Sequence, residues 1–265
     1  MFKPTTYTNV KGENVYPIAG SYMSWRHFFA QKGIPMEVVR NEEGKCDLCF
    51  DALYVKHIHY GTIRCLCLLE QVHRPRLELT LEPYRSILDS SKTLDDLEIW
   101  GNNTSQESLK IVRRFFKDWL EWPDLWVVLI GQVGTGKSHI LQALANELGP
   151  WALYITAADF EHMLKVSIDD NSVEEMTAAV RFVPFLLLDD FGSEFSSEWV
   201  LRKTFQIIDL RYRRPTEFPT VIATNLNAGK LRATDSRIAD RILDRNIGYT
   251  IDLRGVKSWR SRDES

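Results

Sequence analysis

The residues best equipped for chemistry are Gly131-Gln132-Val133-Gly134-Thr135-Gly136-Lys137-Ser138, which fit the spacing G-x-x-x-x-G-K-[ST]. Glycines so spaced let backbone N–H groups curl around an anionic phosphate, and a helix starting there adds the positive end of its dipole. Lys137 would reach the β- and γ-phosphates of a nucleotide, and Ser138 would ligate magnesium. The nucleotide-contacting set expected from this stretch is Gly131, Gly134, Thr135, Gly136, Lys137, Ser138 and His139. Further along, Asp189-Asp190 closes the apolar run Phe185-Leu186-Leu187-Leu188, which puts two carboxylates at a strand tip. Asp189 would hold magnesium, and Asp190 would stand where a base or water-positioning group is wanted. Asn225, after Thr220-Val221-Ile222-Ala223-Thr224, could hydrogen-bond the attacking water or the γ-phosphate. Arg237 and Arg241, four residues apart, share one face of an expected helix. They serve either local salt bridges, to Asp240, Asp244 or a neighbour, or as an arginine finger in a neighbouring subunit's nucleotide site, with Arg241 preferred for the finger.

A second group is the cysteines. All four fall between Cys46 and Cys67, as Cys46-x-x-Cys49, fifteen residues, then Cys65-x-Cys67. In a reducing compartment such a cluster points to zinc rather than to disulfides. The second pair is tighter than the usual knuckle, so His57, His59 and His73 stay open as substitute ligands. Four protein ligands would close the site to substrate and hold together a segment too small for its own core.

These residues need elements to position them. Leu125 to Ile130 is a continuous apolar run, as a strand buried on both faces requires, and Ile140, Leu141, Leu144 and Leu148 recur at helical spacing after the loop. Thr104-x-x-Glu107 reads as a capping box opening a helix with Leu109, Val112, Phe116 and Leu120 on one face, ending near Trp122-Pro123. Trp151 to Ile155 reads as a second strand, with helical stretches around 160–165 and 172–182 after it. Trp199 to Arg214 reads as a long helix with Leu201, Phe205, Ile208 and Tyr212 inward and Arg202, Arg211 and Arg213 outward. A last strand spans Tyr249 to Leu253, and the tail Ser258-Trp259-Arg260-Ser261-Arg262 offers an aromatic between basic residues, either a contact for phosphate or bases or a loose terminus. Strands alternating with helices predict an α/β fold with a parallel sheet.

The expected division is 1–85 as a zinc-binding, partner-docking domain, 86–93 as a linker, and 94–265 as the nucleotide-binding domain. Trp25, Phe28 and Phe29 could share a helix face in the first of these. No run approaches bilayer length and the start lacks the apolar core of a signal peptide, so a cytoplasmic protein without membrane partners is expected. Residues 201–265 hold 14 Lys+Arg against 8 Asp+Glu, an excess of +6, so the remainder carries −9 of the net −3. Any polyanion contact would therefore be local.

The set Gly-x-x-Gly-Thr-Gly-Lys-Ser at 131–138, Leu-Leu-Leu-Asp-Asp-Phe-Gly at 186–192, Thr-Asn at 224–225 and Arg-Ile-x-Asp-Arg at 237–241 resembles AAA+ ATPases of the DnaC/IstB type. These are loaders of replicative helicases and the related ATPase helpers of transposases. The similarity covers roughly residues 94–265 and extends more weakly to the cysteine cluster. It implies an AAA+ P-loop domain with a five-stranded parallel sheet flanked by helices, ATP and Mg2+ between subunits of a self-oligomer, and single-stranded DNA along the inner surface. It also implies docking of the N-terminal Zn2+ domain on a hexameric replicative helicase. Asp190 departs from the glutamate frequent at its position, and no second sensor arginine stands out in a C-terminal lid.

Overall fold

A computed structural model describes residues 88–264, apart from 122, 124, 150–151, 170, 193–196 and 216–217, together with four short strands nearer the N-terminus. These strands are β1 (Tyr7–Thr8), β2 (Asn14–Val15), β3 (Tyr54–His57) and β4 (Gly61–Arg64), which form an antiparallel sheet in the order β2-β1-β3-β4. The four cysteines, His59, His73 and the aromatic cluster at Trp25, Phe28 and Phe29 lie outside the described residues.

The larger sheet has five strands: β5 (Trp126–Ile130), β6 (Ala152–Thr156), β7 (Phe185–Asp189), β8 (Thr220–Thr224) and β9 (Gly248–Asp252). All pair in parallel, in the order β6-β7-β8-β5-β9, so the α/β reading with a five-stranded parallel sheet is the one observed for this domain. A parallel sheet needs cover on both faces, and β5, β7 and β8 are buried at every residue. Period-two alternation then sorts their side chains into two cores. On one face Val127, Leu129, Leu187 and Val221 pack against α1 (Asn103–Glu121) and α2 (Lys137–Leu148). On the other, Val128, Leu186, Leu188 and Ile222 meet α3 (Ala157–Asp169), α4 (Val173–Phe182) and α5 (Glu198–Tyr212). Two short helices, α6 (Ala228–Thr234) and α7 (Ser236–Ile242), close that second face before β9.

Local chemistry explains most boundaries. Helix α1 does bury Leu109, Val112 and Phe116, but its cap differs from the expected box. Asn102 Oδ1 accepts from the Ser105 amide at 2.9 Å and from the Ser105 hydroxyl at 2.8 Å, so the helix opens two residues ahead of Thr104. At the other end Trp119 Nε1 donates to the Leu125 carbonyl (2.9 Å), which ties α1 to the start of β5. In α3, Thr156 and Asp159 cap reciprocally: the Asp159 amide donates to Thr156 Oγ1 at 3.0 Å and that hydroxyl donates back to Asp159 Oδ2 at 2.8 Å. Residues 88–93 lie along α2, where Asn146 Nδ2 donates to the carbonyls of Asp89 (2.9 Å) and Lys92 (2.8 Å).

Arg211 corrects the sequence reading of α5. Expected outward, it is fully buried and donates to Thr220 Oγ1 (2.9 Å) and to the carbonyls of Val183 (2.7 Å) and Pro219 (2.8 Å), among others. The inward stripe is Val200, Thr204, Ile207, Ile208 and Arg211, a spacing of four and three that leaves Leu201 and Phe205 only half-buried at its border. Burial pushes the Arg211 pKa down to about 9, which leaves the guanidinium charged at neutral pH.

Candidate nucleotide site

The parallel register brings the C-terminal tips of β5, β7 and β8 side by side, with Ile130 opposite Thr224 and Leu188 opposite Ile222. The loop after β5 turns sharply, and its glycines are used. Gly134 and Gly136 have φ of +82° and +92°, a region that side-chain-bearing residues rarely enter. A Cβ on Gly131 would lie 2.8 Å from Thr135 Oγ1 and 2.9 Å from Leu253 Cβ, so the loop closes on itself only without one. Buried Thr135 braces the turn by donating to the Gln132 carbonyl (3.0 Å).

Lys137, the first residue of α2, is buried, and its ammonium donates to the carbonyls of Gly131 (2.9 Å) and Gln132 (2.8 Å) and to Asn225 Oδ1 (2.8 Å). Burial lowers its pKa, and the nearby Asp189 and Asp190 partly offset this. Asn225 in turn donates from Nδ2 to Asp190 Oδ1 (3.3 Å), so it bridges Lys137 and Asp190. Asp190 itself has φ of +51°, an unusual conformation for a residue with a side chain and one that Asp tolerates better than most. The tips are fastened further: the Thr224 hydroxyl donates to the Phe191 carbonyl (2.6 Å) and the Phe191 amide to the Ala223 carbonyl (2.9 Å).

Asp189 is 1% exposed, and both its oxygens are engaged. Oδ1 accepts from the Asp190 amide at 2.9 Å and Oδ2 from the Tyr154 hydroxyl at 2.9 Å. Burial raises its pKa, while hydrogen bonds from Ser138 and Tyr154 pull the other way. A hydroxyl and a carboxylate in contact, below a glycine loop that opens a helix, form the hard oxygen set that magnesium beside a phosphate takes. These residues therefore fit a magnesium nucleotide.

The structure thus brings together Lys137, Ser138, Asp189, Asp190 and Asn225. His139 is turned to the preceding segment, with Nε2 2.8 Å from the Thr93 carbonyl. Arg237 and Arg241 sit on α7 with other partners. Arg237 pairs with Asp235, the cap of its own helix (2.7 Å), and Arg241 with Asp209 of α5 (2.6 Å). Arg241 also lies over the rings of Phe205 and Tyr212, at 4.6 and 5.6 Å from their centroids. Its side chain is 26% exposed against 57% for Arg237. The C-terminal tail is seated on the phosphate loop: the Trp259 amide donates to the Gly134 carbonyl (2.8 Å) and its indole to Glu98 (2.6 Å). Sequence reasoning missed Tyr154, whose phenol hydroxyl in the middle of the buried run Ala-Leu-Tyr-Ile-Thr was the available signal.

A parallel five-stranded sheet with phosphate loop, strand-end aspartates and a polar strand-tip asparagine defines a P-loop protein of the AAA+ class. The chain belongs to the IstB-like ATP binding protein family, whose profile matches residues 66–264. It is similar to the replicative helicase loader DnaI of Bacillus subtilis, 32% identical over 39% of this chain and 34% of that protein. It is also similar to the replicative helicase loader DnaC of Escherichia coli, 29% identical over 51% of this chain and 56% of that protein. Among solved structures, the replication initiator DnaA bound to AMPPCP and single-stranded DNA superposes with a TM-score of 0.53 at 26% identity, covering 63% of this chain and 50% of that one. The chain thus spans about a third to a little over half of the curated relatives it matches.

Proposed function

We propose that the chain is an ATPase that loads a replicative helicase onto single-stranded DNA. The observation that carries the ATPase reading is the bridge from Lys137 through Asn225 to Asp190, which sets a phosphate-binding cation, a polar sensor and a carboxylate within one hydrogen-bonded group. Lys137 and the loop amides of Gly131, Gly134, Thr135 and Gly136 hold the phosphates, while the His139 side chain stays on the Thr93 carbonyl and outside this set. Ser138 and Asp189 hold magnesium, which when bound draws charge from the phosphate oxygens. Asp190 and Asn225 orient the attacking water. Asp190 is one carbon shorter than a glutamate, so turnover is slow until subunits and DNA assemble.

The finger comes from α7. Arg237, the more exposed of the pair, would have to leave Asp235 and the Phe205 ring, 4.8 Å from its guanidinium, to reach a neighbouring subunit, whereas Arg241 is held by Asp209 and two rings. Arg237 is therefore the better placed, and Arg241 shapes the surface that presents it.

The loader role is supported by the likeness to DnaI and DnaC, and the DNA partner by the likeness to DnaA with single-stranded DNA. Residues 1–85 would form the helicase-docking domain, joined by 86–93 to the ATPase domain at 94–265. Zinc held by Cys46, Cys49, Cys65 and Cys67 would staple the first. Metal analysis of the purified chain should find one zinc; free thiols and no zinc would remove the staple.

The family match favours a second reading, an ATPase helper that delivers a transposase to target DNA. Capture from the source cell separates the two. A hexameric helicase retained by the full chain and lost without residues 1–90 supports the loader, and a transposase in its place overturns it. ATP turnover with and without single-stranded DNA, against Lys137→Ala, tests the enzyme itself; equal rates would leave a nucleotide-switched adaptor.

A further inference from the structure

We propose that Tyr154 is a positioning residue for magnesium, holding the Asp189 carboxylate in one orientation and at one distance from Ser138. The inference rests on the magnesium nucleotide reading above. Tyr154 is on β6, opposite Leu187 of β7, so its ring shares a sheet face with Asp189, two residues further along β7, which its hydroxyl reaches. Tyr154 is 5% exposed, and its hydroxyl sits in a chain of donors: Gln142 Nε2 donates to it at 3.3 Å, and it donates to Asp189 Oδ2 at 2.9 Å. The Asp190 amide holds the opposite oxygen. Turning the carboxylate about its Cβ–Cγ bond would break both bonds at once, in a setting where an unpartnered charge is costly.

The other end of the chain of donors matters as much. Gln142 lies one helical turn after Ser138 on α2. Gln142, Tyr154 and Asp189 therefore brace the helix that carries the magnesium-facing hydroxyl against the strand that carries the magnesium-facing carboxylate. Outer-shell hydrogen bonds of this kind commonly govern metal affinity by about ten- to a hundred-fold. A tyrosine that only filled the core would need a partner for its hydroxyl but not this one.

The test uses the full chain and a fluorescent ADP, titrated in EDTA and at a series of Mg2+ concentrations. Tyr154→Phe keeps the ring and removes the hydroxyl. The expected result is an affinity in EDTA within two-fold of the wild type, with the Mg2+ concentration for half-maximal enhancement raised about ten-fold. Gln142→Leu spares the bond to Asp189 and should shift that midpoint less. An unchanged midpoint in Tyr154→Phe, an affinity in EDTA that falls as much as that with Mg2+, or a larger shift in Gln142→Leu would each overturn the proposal. A wild type that binds nucleotide with Mg2+ while Tyr154→Phe behaves identically sinks this inference alone. A wild type that binds no nucleotide sinks the magnesium nucleotide reading and this inference with it.

Discussion

Replacing Arg211 should destabilise the domain without touching nucleotide chemistry. The guanidinium is buried with no carboxylate among its partners, and six hydrogen bonds hold it. They run to the carbonyls of Val180 (3.4 Å) and Arg181 (3.2 Å) in the last turn of α4, to Val183 (2.7 Å) and Pro184 (3.3 Å) before β7, and to Pro219 (2.8 Å) and Thr220 Oγ1 (2.9 Å) at the start of β8. Arg211→Met removes every one. The Pro219 carbonyl keeps the Leu186 amide, and Thr220 keeps its bond to the Phe218 carbonyl. The carbonyls of Val183 and Pro184 are the ones at risk, and a stranded buried acceptor costs about 1–3 kcal/mol. Loss of the helix-end contacts adds about 0.5–1 kcal/mol, while relief from burying a cation offsets part. The net is a loss of about 3 kcal/mol, or about 6–12 °C in melting temperature for a domain of this size. Arg211→Lys should lie between, since an ammonium has three donors and no planar fork. Chemical denaturation measures the change, and nucleotide affinity below the transition serves as the control. A methionine variant that melts within 2 °C of the wild type would refute the reasoning.

Other positions give sharper contrasts. Gly248 passes so close to β5 that a Cβ would lie 2.3 Å from the Trp126 carbonyl oxygen, so Gly248→Ala should cost about 2 kcal/mol or more in urea denaturation. Arg237→Ala should leave the melting temperature within about 2 °C and lower assembly-dependent ATP turnover by about 10³-fold. Arg241→Ala should lower the melting temperature, because it releases Asp209, Phe205 and Tyr212 together. Burial alone would raise the Asp209 pKa, but hydrogen bonds from Arg241 and Arg213 outweigh it and hold the group below 3.8. Its folded value being depressed, its contribution to stability is present above pH 3.8 and lost as pH falls through the folded value. The gap in stability between wild type and Asp209→Asn should therefore be constant from pH 7 to about 5 and close only below 3.8.

The parts of the site that were legible in the sequence are those whose cause is local. The phosphate loop, the apolar strands and the carboxylates after β7 are specified within a few residues each. Arg211 was misread because residue type was weighed above period: a cation looks like surface, yet its spacing from Val200, Thr204 and Ile208 points inward. Its partners are up to 31 residues away, and nothing nearby announces them. The cap of α1 was misplaced for a different reason. Asn102 and Thr104 are both competent caps, and the choice falls to Gly101, whose φ of +87° turns the chain so that Asn102 meets Ser105. Helix α6, seven residues long with a glycine inside, offered too little periodicity to be seen. Tyr154 and Asp189 are 35 residues apart, and only the β6–β7 register joins them.

The same distinction bears on how the site and the arginine surface are joined. Asn225, at the tip of β8, touches both Lys137 and Asp190, and Arg237 follows twelve residues later. The chain between them is short and stopped at both helices by side-chain caps: Asn227 accepts from the Lys230 amide at 2.9 Å, and Asp235 accepts from the Arg237 amide at 2.9 Å. Asp235 therefore has two uses, to start α7 and to hold the Arg237 guanidinium. The guanidinium uses both oxygens, Nη2 on Oδ2 (2.7 Å) and Nε on Oδ1 (3.3 Å), and Oδ1 also accepts the cap amides of Arg237 and Ile238. On the finger reading proposed above, departure of the guanidinium would leave the two amides on Oδ1, so α7 would keep its cap while the side chain changed partner.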